Sequence, residues 1–145
     1  MYQHILIPTD GSELAEHAVT HGLSLAKSAG AKVTVIIVEE PFNWLPLAEA
    51  GVFEPLGQYA EQIKALAARV LIRAANAAKQ AGVSYDTLQV RDVQPYQAII
   101  ATATDRGCDL IVMASHGRSG LSAILLGSVT NKVLTYTKTP VLVCR

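Results

Sequence analysis

Ile5 Leu6 Ile7 Pro8 Thr9 Asp10 Gly11 Ser12 is an apolar stretch that ends in a polar, Gly-containing turn, with Ser12 placed to cap a following helix. The pattern returns, faintly, at Leu110 Ile111 Val112 Met113 Ala114 Ser115 His116 Gly117. Short, continuously apolar runs of this kind are the mark of strands covered on both faces, as in a parallel sheet. Residues 32–38, 84–90 and 141–144 are similarly rich in β-branched residues and Leu, so with 4–7 and 110–114 the sequence predicts five strands.

Helical periodicity fills the intervals. Over 13–29, Leu14, Ala15, Ala18, Val19, Leu25, Ala26 and Ala29 form one stripe, with Gly30 as the stop. Over 58–81 the stripe is Ile63, Leu66, Ala67, Val70, Leu71, Ala74, Ala78 and Ala81, closed by Gly82. A third helix is predicted from Pro95, well placed at a first helical position, to Gly107, and a fourth from Ser128 to just before Thr139 and Pro140. The order β-α-β-α-β-α-β-α-β specifies an open α/β sheet with right-handed crossovers. Residues 39–57 carry Pro41, Pro46, Pro55 and the lone Trp44 without a clear period, and are predicted to form a long loop after the second strand.

The 145 residues fit one domain, 1–145. Half are hydrophobic, 17% are charged and the formal net charge is zero, which excludes a disordered chain and argues against a nucleic-acid groove built on many phosphate contacts. No apolar run approaches the roughly 18 residues of a membrane span, and no cationic region precedes the first apolar stretch, so a cytoplasmic protein is expected. Cys108 and Cys144 sit in neither a C-x-x-C pair nor a zinc-ligand spacing, and read as small buried hydrophobes.

In open α/β sheets, ligands bind beyond the carboxyl ends of the strands where the strand order reverses, and the two echoing strand ends are the candidates. After the second of them come Gly117, nine residues, and then Gly127 Ser128 Val129 Thr130 opening a helix. Backbone N–H groups and two hydroxyls at a helix N-terminus suit an anion such as phosphate, and Arg118 adds a positive charge. The competing reading is structural: Gly117 and Gly120 make a turn, and Gly127 permits tight packing. There is no Gly-Lys dipeptide for a Walker A loop and no G-x-G-x-x-G for a dinucleotide fold.

Pro8 Thr9 Asp10 Gly11 Ser12, with Met113 Ala114 Ser115 His116 Gly117 Arg118, Gly127 Ser128 and the closing Thr139 Pro140 Val141 Leu142 Val143, resembles the universal stress protein family over essentially the whole chain. The resemblance implies an adenine nucleotide alpha-hydrolase-like fold: a five-stranded parallel sheet of order 3-2-1-4-5 with helices on both faces. It also implies ATP as the ligand, with Mg2+ as its candidate metal partner, and a regulatory role in stress response. The nucleotide-binding branch carries a glycine, two residues, a second glycine, nine residues and a third glycine before Ser or Thr. Here the second and third fall on Gly117 and Gly127, while the first falls on Ala114. Carried over by position, Pro8, Thr9 and Asp10 line the nucleoside, with Asp10 near the ribose or a metal, and Val38 meets adenine. Met113 and Ala114 border the ribose, His116 borders the ligand, and Gly117, Arg118, Gly127, Ser128, Val129 and Thr130 hold the phosphates. Apart from the resemblance, Asp10 reads equally well as an Asp-Gly turn and Val38 as ordinary core.

Catalytic readings are weaker. Ser115 lacks the Gly that a nucleophile elbow needs at the position of Met113, His116 is the last histidine, and two adjacent side chains are expected to diverge. His17 and His21 could share a metal, but both fall on the polar face of their helix with no third ligand evident. No catalytic residue is therefore assigned. The alternatives to an ATP-binding module are a same-fold homodimeric interaction protein that has lost nucleotide binding through Ala114, and a slow ATPase, which lacks an obvious residue to orient water. With the strand order that the resemblance implies, the last strand lies at a sheet edge, where it is expected to pair antiparallel with a second copy in a homodimer.

Overall fold

The computed structural model describes residues 1–41, 46, 49–51, 54–117 and 125–145, with 54–56 described as backbone. Trp44, Arg118, Gly120 and much of the predicted loop over 39–57 lie outside the described residues. The elements are β1 (His4–Pro8), α1 (Glu13–Ala29), β2 (Lys32–Glu39), α2 (Glu54–Ala81), β3 (Tyr85–Arg91), α3 (Pro95–Asp105), β4 (Leu110–Ala114), α4 (Ser128–Tyr136) and β5 (Val141–Cys144). They form one five-stranded sheet of order β3-β2-β1-β4-β5, and every neighbouring pair is parallel. The strand order reverses between β1 and β4. The predicted loop over 39–57 ends earlier than expected, since α2 starts at Glu54 and takes in Pro55 and Gly57. Proline is tolerated in a first helical turn because its missing N–H would have no intrahelical partner there.

Alternation along the strands divides the core. Ile5, Ile7, Val33, Val35, Val112 and Ala114 face α1 and α2, while Leu6, Ile36, Ile111 and Met113 meet Ile99, Ala103 and Val133 of α3 and α4. Helix α1 is delimited as its sequence dictates: the Ala15 N–H donates to Ser12 Oγ at 3.3 Å, and Gly30 leaves in the left-handed region at φ 67°. Gly22 is a packing glycine that periodicity alone does not reveal. A Cβ there would collide with the Ile7 side chain, so the roughly 1 kcal/mol helix penalty of glycine is offset by close helix–sheet approach.

The N-terminal rim of the sheet is closed by polar bonds. His4 is 6% exposed, with Nδ1 3.1 Å from the Arg106 carbonyl and Nε2 2.8 Å from Thr34 Oγ1. The Asp109 carboxylate accepts from the Gln3 N–H at 2.8 Å and the His4 N–H at 3.0 Å. Burial, aided by the Lys32 charge, holds the His4 imidazole below the ordinary histidine value. Burial alone would raise Asp109, but the Gln3 and His4 N–H groups outweigh it and leave the carboxyl below its ordinary value.

Candidate functional site

At the other rim, β1 and β4 end side by side and their outgoing turns frame a cleft of about 410 Å3. The turn after β1 is locked by its own side chains. The Thr9 N–H continues the ladder to the Ile36 carbonyl at 2.8 Å, Thr9 Oγ1 accepts from the Gly11 N–H at 3.2 Å, and Asp10 Oδ1 accepts from the Ser12 N–H at 2.9 Å. Gly11 sits at φ 78°, where other residues are strained. Asp10 is thus a turn residue and a cleft residue together.

The turn after β4 comes against it. A Cβ on Gly117 would lie 2.6 Å from Asp10 Oδ2, so glycine allows the two echoing strand ends to touch. Gly127 donates its N–H to the Ser115 carbonyl at 2.6 Å. A Cβ there would lie 3.2 Å from that oxygen and 3.3 Å from His116 Cα. The packing reading of Gly127 is therefore correct in structural terms, and it places the start of α4 on the cleft. Helix α4 has no side-chain cap, and its first residues Ser128, Val129 and Thr130 line the cleft. Their first-turn N–H groups lack intrahelical acceptors, as at any helix start. Of the two hydroxyls expected to serve a phosphate, that of Thr130 is already engaged, donating to the Ala114 carbonyl at 2.8 Å.

Pro8, Thr9, Asp10, Val38, Met113, Ala114, His116, Gly117, Gly127, Ser128, Val129 and Thr130 all line this one cleft. Arg118 lies outside the described residues. Ala114 belongs to the core cluster facing α1, which also holds Ala15, so its methyl is accommodated on the α1 side of the sheet. Sequence reading missed Ile36, Pro95 and Ile99, which supply an apolar wall, and Glu40, which adds a second carboxylate to the lining. Pro95 was readable as a helix start, but that its helix opens on this rim follows from the crossover, not from local pattern.

One expectation is overturned. Ser115 and His116 do not diverge: Ser115 Oγ lies 3.0 Å from His116 Nδ1. Ser115 follows the last residue of β4, where the chain bends and strict side-chain alternation ceases. The hydrolase reading gains nothing from this contact, because Ser115 is 2% exposed and is not part of the cleft lining. His17 and His21 are both exposed on α1. Cys108 and Cys144 are buried and free; burial pushes the Cys108 thiol up to about 11 and raises Cys144 as well. Among the described residues there is no cluster of three or more His, Cys, Asp or Glu side chains suited to a metal ion, and no helix long and apolar enough to cross a membrane.

Known proteins are similar to this chain in sequence and architecture. The universal stress protein family model matches residues 1–145. Universal stress protein MJ0531 of Methanocaldococcus jannaschii is 34% identical over 145 residues, covering 100% of this chain and 83% of that one. The solved structure of hypothetical protein MJ0577, 31% identical, superposes with a TM-score of 0.76 over 99% of this chain and 96% of that one; it too comes from Methanocaldococcus jannaschii. A universal stress protein solved in complex with cAMP is 28% identical, with a TM-score of 0.69 over 99% of this chain and 97% of that one.

Proposed function

The chain belongs to the universal stress protein family, and from that premise we propose that it binds an adenine nucleotide, ATP first among them, as a cytoplasmic regulatory module in stress response. One observation carries the reading. A single cleft at the strand-order reversal joins an apolar wall of Ile36, Val38, Pro95 and Ile99 to the uncapped start of α4. An apolar wall suits a nucleobase, and helix-start N–H groups suit a phosphate. The cAMP complex of a relative supports an adenine nucleotide in this fold.

In this reading Val38 packs on adenine, Pro8, Thr9 and Asp10 line the nucleoside, and Met113 and Ala114 border the ribose. His116 borders the ligand, while Gly117, Arg118, Gly127 and the N–H groups of Ser128, Val129 and Thr130 hold phosphate. The donor set fits Mg2+ only in part: Asp10 offers a carboxylate, and the remaining oxygens would come from phosphates and water. The ion would supply charge neutralisation beside Asp10 and Glu40. Mass spectrometry of nucleotide released from the purified, denatured protein, together with calorimetric titration of ATP, tests the assignment. A protein that carries no nucleotide and gives no heat with millimolar ATP would leave the same-fold interaction protein as the better reading.

A second part of the proposal is a homodimer through Val141–Cys144. The two sheet edges differ. The β3 edge is blunted by charge, with Arg106 on Asp86 at 2.5 Å and Arg91 4.0 Å from Glu39. The β5 edge has no charge within it and leaves Leu142 44% exposed. The Ile111 N–H donates to the Pro140 carbonyl and the Ser115 N–H to the Cys144 carbonyl, so by strand alternation Val141 and Val143 turn their backbone groups outward. Antiparallel pairing with a second copy satisfies those groups. Val143→Pro removes an outward donor and should shift the protein toward monomer. Light scattering that finds only the 15.4 kDa species for the wild type at micromolar concentration would contradict the dimer.

A further inference from the structure

We propose that the N-terminal rim of the sheet is an acid-sensitive latch: a second proton on the His4 ring reverses its hydrogen bond to Thr34, leaves the buried Thr34 hydroxyl without an acceptor and lets the rim open apart from the rest of the sheet. None of its residues lines the cleft, so the latch stands or falls separately from the nucleotide reading.

The proton on the neutral ring is assigned by its partners. Nδ1 lies 3.1 Å from the Arg106 carbonyl, and a carbonyl oxygen can only accept, so Nδ1 carries the N–H. Nε2 is then the bare nitrogen of the neutral ring, and the Thr34 hydroxyl, 2.8 Å away, donates to it. A second proton makes Nε2 a donor too. Thr34 Oγ1 must then accept from the ring, and its own proton needs a new acceptor. Thr34 is 1% exposed, out of reach of water, and among the described residues its hydroxyl has no side-chain partner but His4. A buried donor left without an acceptor carries its full desolvation penalty.

The surroundings of the ring resist the second proton on balance. Burial comes first and the Lys32 charge at the start of β2 second, with the Arg106 charge after α3 adding to them; the Arg106 carbonyl and the Asp109 carboxylate before β4 favour the proton but do not prevail. The Arg106 guanidinium is itself paired with Asp86 of β3, and the neighbouring Cys108 thiol, pushed up to about 11 by burial, is uncharged. The bonds that close the rim converge on Gln3 and His4. The Lys32 N–H donates to the Gln3 carbonyl at 3.0 Å and the Asp109 N–H to the His4 carbonyl at 2.9 Å, while the Asp109 carboxylate accepts from both residues' N–H groups. A rim that takes up one proton on opening loses protection by up to about tenfold per pH unit between 6.5 and the lower folded-state value.

Three readings on the intact protein test the latch, the first two on the wild type alone. Long-range 15N–1H spectra should show the neutral His4 ring protonated at Nδ1. Hydrogen exchange, corrected for its intrinsic pH dependence, should show the Gln3, His4, Lys32 and Asp109 amides opening more easily than those of Ile111 to Met113, and their protection falling by about three- to tenfold from pH 7 to pH 5. In His4→Gln, whose side-chain amide offers a donor to Arg106 and an acceptor to Thr34 but takes no proton, that fall should shrink to less than about twofold. A neutral ring protonated at Nε2 would overturn the proposal, as would wild-type protection that does not change with pH, an equal fall in His4→Gln, or one common opening for the rim and for Ile111 to Met113.

Discussion

At the N-terminal rim of the sheet, both His4 ring nitrogens have partners and the Asp109 carboxylate ties down two backbone N–H groups. At the C-terminal rim, the start of α4 has no side-chain cap and opens on a cleft of about 410 Å3. Both rims are ends of the same β1 and β4 strands, and both are rich in polar groups. The difference is who satisfies those groups. Where the chain satisfies them itself, as around His4, a substitution should cost stability. Where, in the nucleotide reading, they serve a ligand, a substitution should cost affinity.

The largest expected effect would blur that division. Gly127→Val places side-chain atoms within reach of the Ser115 carbonyl and the His116 backbone, so it should weaken ATP binding by about a hundredfold and lower the melting temperature as well. Calorimetry and thermal denaturation of one preparation check it. Unchanged ATP affinity in a folded Gly127→Val protein would remove α4 from the site.

A cleaner division is expected at the opposite rim. His4→Ala strips Thr34 and the Arg106 carbonyl of a buried partner and should cost about 2 kcal/mol in urea denaturation, with ATP affinity unchanged within about twofold. A comparable loss of affinity would show that the rims are not independent.

Acid should act on the N-terminal rim first. Because burial and Lys32 lower the folded-state His4 value from 6.5, the unfolded chain binds more protons between the two values. The stability that neutral His4 provides is therefore present above pH 6.5 and declines as pH falls toward the folded value. Asp109 acts lower on the scale: its folded value lies below 3.8, so its contribution holds above that pH and is lost as pH falls further. Denaturation midpoints from pH 7.5 to 5 should fall for the wild type and flatten for His4→Gln. Equal slopes for the two proteins would contradict the assignment to His4.

The smallest effect concerns the position where the chain departs from its family's pattern. The Ala114 methyl belongs to the core facing α1, so Ala114→Gly should change ATP affinity by less than about 1.4 kcal/mol, one decade. A wild type that fails to bind and a glycine variant that binds would instead make the methyl the reason for lost function.

The two rims were unequally readable from the sequence. The apolar runs and their Gly-containing turns announce β1, β4 and the Gly117-to-Gly127 interval, because turn chemistry and strand pattern are local. The His4 cluster joins residues from β1, β2 and the turn before β4, and nothing in the neighbourhood of His4 along the chain marks it. Ile99 and Pro95 reach the cleft only through the crossover of α3. The Ser115–His116 contact contradicts simple alternation because the chain bends as it leaves β4. Gly22 is intelligible only once the Ile7 side chain is seen beneath it.

The most direct test of the division between rims is a backbone amide NMR titration of the wild type with ATP. The largest shift changes should fall on Thr9 to Ser12, His116, Gly117 and Gly127 to Thr130, while Gln3, His4 and Asp109 stay within the noise. Saturating ATP that leaves the Gly127 to Thr130 amides unmoved, or that moves the His4 rim instead, would contradict the account.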